Sequence, residues 1–372
     1  MNFSKLGKVA SIQTGKIDVN KAVVGGKYPF FTCSRDVYEI NDAPYEGRAV
    51  LVAGNGDLNV KYYEGKFNAY QRTYFLFVND ENELKPRYLY WFLESYIGQL
   101  RSESIGSTIK YIKMGNLTEA EIPLPAPEKQ LKIVEKLDAA FAEVDSLEAN
   151  LEQFNDKAEK LSKSILNTLL SDFPINSELT ISRAGNRPTW SEQFIKGTID
   201  ELCNVEYGTR VVRKKDAGTI YPVYGGGGET FFLDSFNREN RVVVARFAMS
   251  EKCTRHVAGK FALNDSGLTL SPKDSRILRQ EYLDYLILGM NDEIYASARG
   301  TAQKNLDVPA FRQMEICFPV STEKQKEIVA ALKGALAEIE LIGSQIRLQR
   351  DLAKTLRDSL LNSAFTVTRE VA

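Results

Sequence analysis

Residues 122–137 read Ile-Pro-Leu-Pro-Ala-Pro-Glu-Lys-Gln-Leu-Lys-Ile-Val-Glu-Lys-Leu, and residues 316–332 read Ile-Cys-Phe-Pro-Val-Ser-Thr-Glu-Lys-Gln-Lys-Glu-Ile-Val-Ala-Ala-Leu. Each passes from a Pro-punctuated apolar run into a charged, Pro-free segment, which is how a helix starts. Beyond the first, apolar residues fall seven apart at Leu137, Val144, Leu151, Ala158 and Ile165; beyond the second, at Leu332, Ile339, Ile346, Ala353 and Leu360. A further row lies three residues on in each: Ala140, Leu147, Phe154, Leu161 and Thr168, then Ala335, Ile342, Gln349, Leu356 and Ser363. Such paired rows predict the a/d seam of a coiled coil. The two helices, 127–171 and 321–366, are each about 45 residues, roughly 65 Å at ~1.5 Å per residue. They outrun any head of ordinary size, so they are expected to pack on each other. An antiparallel pair would put one head at each end, about a pseudo-two-fold axis.

Working outward, the whole chain repeats. Tyr28-Pro29 returns as Tyr221-Pro222, Gly65-Lys66-Phe67 as Gly259-Lys260-Phe261, and Gly106-Ser107 as Gly300-Thr301 with Lys110 matching Lys304. Ser164-Ile165-Leu166-Asn167 returns as Ser359-Leu360-Leu361-Asn362. The matches keep their order while the offset drifts only from 193 to 195 residues, so the chain is two copies of one head-and-helix unit. The heads, 1–126 and 191–320, read as mixed α/β (α+β). Strands are expected at Ala49–Ala53, Tyr74–Val78, Val242–Ala245 and Leu268–Leu270, and helices at Tyr88–Leu100 and Glu281–Met290. Asn55-Gly56-Asp57 and Gly225–Gly228 read as turns, and the polar stretch 172–190, with Pro174, Gly185, Asn186 and Pro188, as a linker.

Composition narrows the function. The 372 residues are 43% hydrophobic and 26% charged, the balance of an ordinary globular protein. No apolar run is long enough to span a membrane, and the N-terminus lacks a signal-peptide core, which predicts a cytoplasmic protein. Cys33, Cys203, Cys253 and Cys317 form no Cys-x-x-Cys pair and read as reduced thiols. A single histidine, His256, leaves little room for zinc or a His-based triad. Net charge is −1, low for a nucleic-acid binder, but it is unevenly spread. Six basic residues face one acid between Met1 and Arg35, and Arg210, Arg213, Lys214 and Lys215 make a second basic cluster.

Catalytic motifs are scarce. Asp57 followed by Glu64-Gly65-Lys66 faintly resembles a nuclease carboxylate-lysine set, but Ala258 stands at the position of Glu64 in the second copy. Gly225–Gly228 lacks the Gly-Lys-Ser/Thr of a phosphate-binding loop, and there is no Asn-Pro-Pro-aromatic tetrapeptide. The loops around Ser107 and Lys110, and around Arg299, Thr301 and Lys304, offer hydroxyls, backbone N–H groups and a cation, as phosphate-holding loops do. Candidate base readers in the first head are Arg35, Asn55, Lys61, Asn68, Gln71 and Arg72; in the second they are Arg210, Arg213, Lys214, Arg246, Arg255, His256 and Asn264. Tyr62, Tyr63 and Tyr224 could stack on bases or touch the backbone, and Gly226 could sit against a phosphate.

The run from Ile122 through Glu128-Lys129-Gln130 to Ile133-Val134 and Leu137, repeated from Ile316 through Glu323-Lys324-Gln325 to Ile328-Val329 and Leu332, resembles the entry to the conserved helices of type I restriction-modification specificity subunits. The likeness covers head, helix, linker, head and helix. It implies two target-recognition domains, each reading half of a bipartite double-stranded DNA site, on a coiled coil that sets their spacing. It also implies that two methylation subunits dock on the helices and that restriction subunits join. S-adenosylmethionine, ATP and magnesium would then serve those partners, this chain would hold no cofactor or metal, and its own binding of DNA would be weak. Two other readings predict different behaviour: a structural adaptor would protect no DNA, and the recognition part of a fused methyltransferase-nuclease would belong to a catalytic chain.

Overall fold

The computed structural model describes residues 2–171, 194–301 and 303–370; the predicted linker, 172–190, lies outside them. The chain divides into two units, Met1–Gln153 with Ile346–Ala372, and Phe154–Gln345.

In the first unit the head runs β1 (Asn2–Lys5), α1 (Leu6–Val9), β2 (Ala10–Thr14), β3 (Tyr28–Phe31), β4 (Val37–Ile40), β5 (Tyr45–Ala53), β6 (Val60–Ala69), β7 (Thr73–Val78), α2 (Pro86–Glu103), α3 (Met114–Thr118) and β8 (Glu121–Leu124), and leads into the long helix α4 (Pro127–Ser171). Six strands form one sheet in the order β2-β7-β5-β6-β3-β4, antiparallel except where β3 lies parallel to β6. Period-two alternation splits its residues between two faces. Val50, Val52 and Leu76 meet Tyr88, Leu89 and Phe92 of α2, while Ala49, Leu51, Phe67 and Phe75 form an aromatic cluster on the other side. A separate pair, β1 with β8, ties the first residues to the strand just before α4.

The second unit repeats this plan: β9 (Phe194–Thr198), α5 (Ile199–Leu202), β10 (Cys203–Tyr207), α6 (Arg213–Asp216), β11 (Tyr221–Gly225), β12 (Gly228–Leu233), β13 (Arg238–Ala245), β14 (Thr254–Leu263), β15 (Gly267–Pro272), α7 (Gln280–Gly289), α8 (Asn291–Ala296), α9 (Val308–Arg312), β16 (Glu315–Pro319) and the long α10 (Thr322–Glu370). Its sheet order, β10-β15-β13-β14-β11-β12, matches the first strand for strand, and β9 pairs with β16 as β1 does with β8. Pro127 opens α4 at a position where no N–H is needed. Ser321 precedes α10, and its hydroxyl accepts from the Lys324 N–H at 3.3 Å.

One glutamine fastens each long helix to its head. Gln130 is fully buried. Its amide donates to the carbonyls of Glu83 (2.7 Å) and Pro125 (2.9 Å), and its oxygen accepts from the Lys85 N–H (2.9 Å) at the start of α2. Gln325 repeats all three bonds, to Ile277 O (2.8 Å), Pro319 O (2.8 Å) and the Arg279 N–H (2.9 Å). This accounts for the last letter of the Glu-Lys-Gln motif. A buried side chain satisfying three main-chain groups leaves no polar atom stranded where head meets helix.

The helices pair within each unit. In the first, Arg350 bridges Glu152, and Arg357 bridges both Asp145 and Glu148, so partner numbers fall as those of α10 rise and the pair is antiparallel. In the second, Leu166 and Leu170 share a core with Ile328, Val329 and Leu332. Leu137, Val144, Leu151, Leu332, Ile346 and Ala353 are buried, and Ala158, Ile165, Ile339 and Leu360 half-buried. The row expected beside them is a correction. Ala140 and Ala335 are half-buried, but Leu147, Phe154, Leu161, Thr168, Ile342, Gln349, Leu356 and Ser363 are exposed. The inward row is instead four residues on, with Phe141, Ser162 and Leu169 in α4 and Leu336, Arg357 and Ala364 in α10 buried or half-buried. A seven-residue repeat fixes one row, and the packing partner decides which flanking row joins it. Here the Arg357 guanidinium lies 5.0 Å above the Phe141 ring and turns that edge inward.

Candidate nucleic-acid interface

Each head carries a seven-residue loop held as a closed hairpin. In the first, Ile105 and Tyr111 exchange N–H···O bonds of 3.0 and 2.9 Å; in the second, Arg299 and Asn305 do so at 2.8 Å each. Gly106 and Gly300 sit at φ of +110° and +114°, and a Cβ there would come within 2.3 Å of Ile109 O or 2.2 Å of Gln303 O. The loop needs glycine at that point, for conformation and for space. Behind it lies the turn that leaves the central strand. In the first head Gly54 N–H bonds Arg72 O (2.9 Å), Ile112 N–H bonds Gly54 O (2.9 Å) and Gly56 N–H bonds Lys110 O (2.9 Å). In the second, Arg246 N–H bonds Ser266 O (2.8 Å), Leu306 N–H bonds Arg246 O (2.9 Å) and Met249 N–H bonds Lys304 O (2.8 Å). The two heads thus share one main-chain cradle.

The side chains on its rim differ. The first head presents Asn55, Gln71, Arg72, Tyr74, Tyr111, Lys113 and Met114 around an open cleft of about 600 Å³. The Arg72 and Asn55 side chains have no hydrogen-bond partner among the described residues, and Gln71 reaches only Asp18, at 3.5 Å. Ser107 and Lys110 are exposed at the loop tip, beside exposed Ile105 and Ile109. In the second head Arg246 occupies the position of Gly54. Its guanidinium lies 4.5 Å from the Tyr207 ring and 4.9 Å from that of Phe247, and donates to Asp265 O at 2.7 Å. Thr301 is exposed, Arg299 pairs with buried Asp307 at 2.5 Å, and the Lys304 ammonium sits 4.1 Å above Tyr295. Arg210, Arg213, Lys214 and Lys215 stand exposed on and before α6, with no ion pair among the described residues.

Most other candidates from the sequence are buried or half-buried, and exposed Arg35 is held in an ion pair. Lys61 donates to Ser34 O (2.6 Å) and Asn59 Oδ1 (2.5 Å), and burial lowers its pKa to about 8. Arg255, its counterpart by strand register, reaches Gly226 O at 3.5 Å. Both brace the tip of a strand hairpin. Asn68 is buried, donating to Asp42 O and accepting from the Ala69 N–H. Gly226 is buried too, its N–H donating to the Ser266 hydroxyl, so it is not open to a phosphate. Tyr62 and His256 occupy matching positions on the sheet face that carries the head helix: Tyr62 lies edge-on to Tyr90, and His256 lies parallel to Tyr285 with centroids 6.5 Å apart. Burial, helped by Lys333, lowers the His256 pKa. Tyr63 packs on Phe31, Tyr224 packs on Phe261, and Asn264 accepts from the Ser266 hydroxyl. Arg35 pairs at 2.9 Å with Asp57, which also holds Arg101. Asp57, Glu64 and Lys66 enter separate ion pairs, with Arg35, Arg48 and Glu46 respectively, so the nuclease-like set does not converge. Sequence reasoning missed Tyr111, Met114, Phe247 and Asp265 on the rims; laying the two repeats side by side would have placed Phe247 against Asn55.

A tandem pair of equivalent mixed α/β heads, each leading into a long helix, is the class this architecture defines. The chain belongs to the type I restriction modification DNA specificity domain family, whose model matches residues 1–154 and again 192–349. It is similar to the EcoDI specificity subunit of Escherichia coli, 42% identical over 176 residues, which are 47% of this chain and 38% of that one. It is also similar to the EcoBI specificity subunit of Escherichia coli, 30% identical over 86 residues, 23% of this chain and 18% of that one. The matched segments therefore span well under half of these relatives. A solved chain from work on complex assembly and conformational transition of the type I R-M system covers 98% of this chain and 97% of its own at a TM-score of 0.69, with 16% identity, which shows the shared fold. No helix among the described residues is long and apolar enough to cross a membrane.

Proposed function

We propose that this chain is the DNA sequence-specificity subunit of a type I restriction-modification complex. Each head reads one half of a bipartite, asymmetric double-stranded site, and the helix pair sets the distance between the halves. The helices dock two methylation subunits, and restriction subunits complete the assembly. S-adenosylmethionine, ATP and magnesium belong to those partners. This chain recognises and spaces, catalyses nothing, and works in the cytoplasm.

The observation that carries this reading is the duplicated cradle with dissimilar rims. Main-chain bonds hold two loops alike, and different side chains at matched positions suit the reading of two different short sequences. The exposed apolar row on the helices, Leu147 and Leu356 in one unit and Phe154, Leu161 and Ile342 in the other, suits subunit docking. The modest net charge agrees with a subunit that relies on partners for much of its phosphate neutralisation.

The test is a head exchange in a cell carrying the complete system. Replacing residues 1–126 with the head of a relative is expected to change one half of the methylated motif and leave the other half and the spacer intact. A motif that changes in both halves, or in neither, would overturn the reading.

A further inference from the structure

We propose that the cleft of the first head is a purine-reading pocket, worked by Arg72 and Asn55 with Gln71 beside them, and that Arg246 closes the equivalent place in the second head. The proposal rests on the DNA-reading function above and adds where one half-site is read and by what chemistry. The cleft is lined by Tyr111, which closes the exposed loop that carries Ser107 and Lys110, where a bound backbone would run. Arg72 is exposed with no partner among the described residues, and a guanidinium offers the paired donors that suit the N7 and O6 acceptors of guanine. Asn55 and Gln71 carry a donor and an acceptor on one amide, the pairing that suits N7 and the N6 amino group of adenine. N7 is common to both bases, so the pocket selects a purine at one position. Tyr74 and Tyr111 supply the aromatic wall.

The second head is built differently at the same place. No side chain fits at Gly54 as the first head stands: a Cβ there would meet Arg72 O at 2.3 Å and the Tyr74 ring at 3.0 Å. Its counterpart Arg246 lays a guanidinium between Tyr207 and Phe247 and anchors it to Asp265 O, while its buried Nε has no partner. Asp265 and Ser266 stand where Gln71 and Arg72 stand in the first head, so the paired donors are gone and a carboxylate acceptor replaces them.

The test uses the assembled complex and duplexes in which each recognised position is substituted in turn. Arg72→Ala and Asn55→Ala are each expected to reduce discrimination at one purine position of the first half-site by about 10- to 100-fold, with the second half-site read as before. Arg246→Ala is expected to alter the second half-site only. Undiminished reading of the other positions in the same half-site serves as the folding control. Where Arg72→Ala fails that control, Arg72→Lys, which keeps the charge but loses the fork, must still relax the purine position. Full first-half discrimination in Asn55→Ala and in the Arg72 variant that passes the control would overturn the proposal. A wild-type complex that recognises no bipartite site would overturn the underlying function instead.

Discussion

The loop from Ile105 to Tyr111 and the loop from Arg299 to Asn305 are closed by the same reciprocal main-chain bonds and turn on the same left-handed glycine. Yet one ends at an open cleft, and the other stands near a guanidinium set against two aromatic rings. The contrast separates two jobs within one head. Bonds from N–H to carbonyl are indifferent to side-chain identity, so they preserve a frame while the rim drifts freely. A frame held this way lets two copies of one gene segment diverge in what they bind without losing how they fold.

If the frames are equivalent, damaging them should cost the same in both heads. Gln130→Ala and Gln325→Ala each leave two carbonyls and an N–H without their partner, one carbonyl buried and the other groups part-buried, a loss of roughly 3–9 kcal/mol when unsatisfied groups cost about 1–3 kcal/mol each. Denaturant melts should show similar losses, and a neutral variant in either head would end the claim of equivalence. The next effect should appear in one head only. Asp284 of α7 is buried, accepts from the Val242 N–H at 3.0 Å, and has its pKa raised by burial from 3.8 to about 6. Its counterpart in the first head is Tyr90. Because the folded state holds the proton more tightly, wild type should be most favoured over Asp284→Asn below about pH 4. It should lose on the order of 3 kcal/mol of that advantage as pH rises towards 6. A flat difference between the two melts across that range would show that Asp284 does not titrate in the fold. The smallest effect on global melting is expected from the loop glycines, because an exposed loop can shift locally to clear the main-chain oxygen that a Cβ would meet. Gly106→Ala and Gly300→Ala should each still cost ~1–3 kcal/mol from left-handed strain, read as matched shifts in melting. A shift confined to one of them would mean that the loops are not the same device.

Much of this was legible in the chain. The repeat needed only matched residues, and the helices needed only period and the absence of proline. What escaped was set by contact across the fold. Nothing in the strand Val60–Ala69 marks Asn68 as buried beside β3, or Lys61 as the brace of a hairpin tip, because both facts arise from strand order. The row of Leu147, Phe154 and Leu161 was placed inward because it is apolar, whereas Arg357 over Phe141 claims the inward edge. Nothing local marks Gln130 as a fastener, since two of its three partners, Glu83 and Lys85, lie more than forty residues away in the chain.

Those outward leucines, with Phe154 and Ile342 among them, standing bare along rods of 45 and 49 residues, also bear on supply within the cell. A copy made in excess of its companions carries an adhesive edge with nothing to cover it, the kind of surface that invites clumping and quality-control proteases. Under the proposed docking of methylation subunits on this edge, synthesis of the chain should keep pace with theirs, and its lifetime as an orphan should be short.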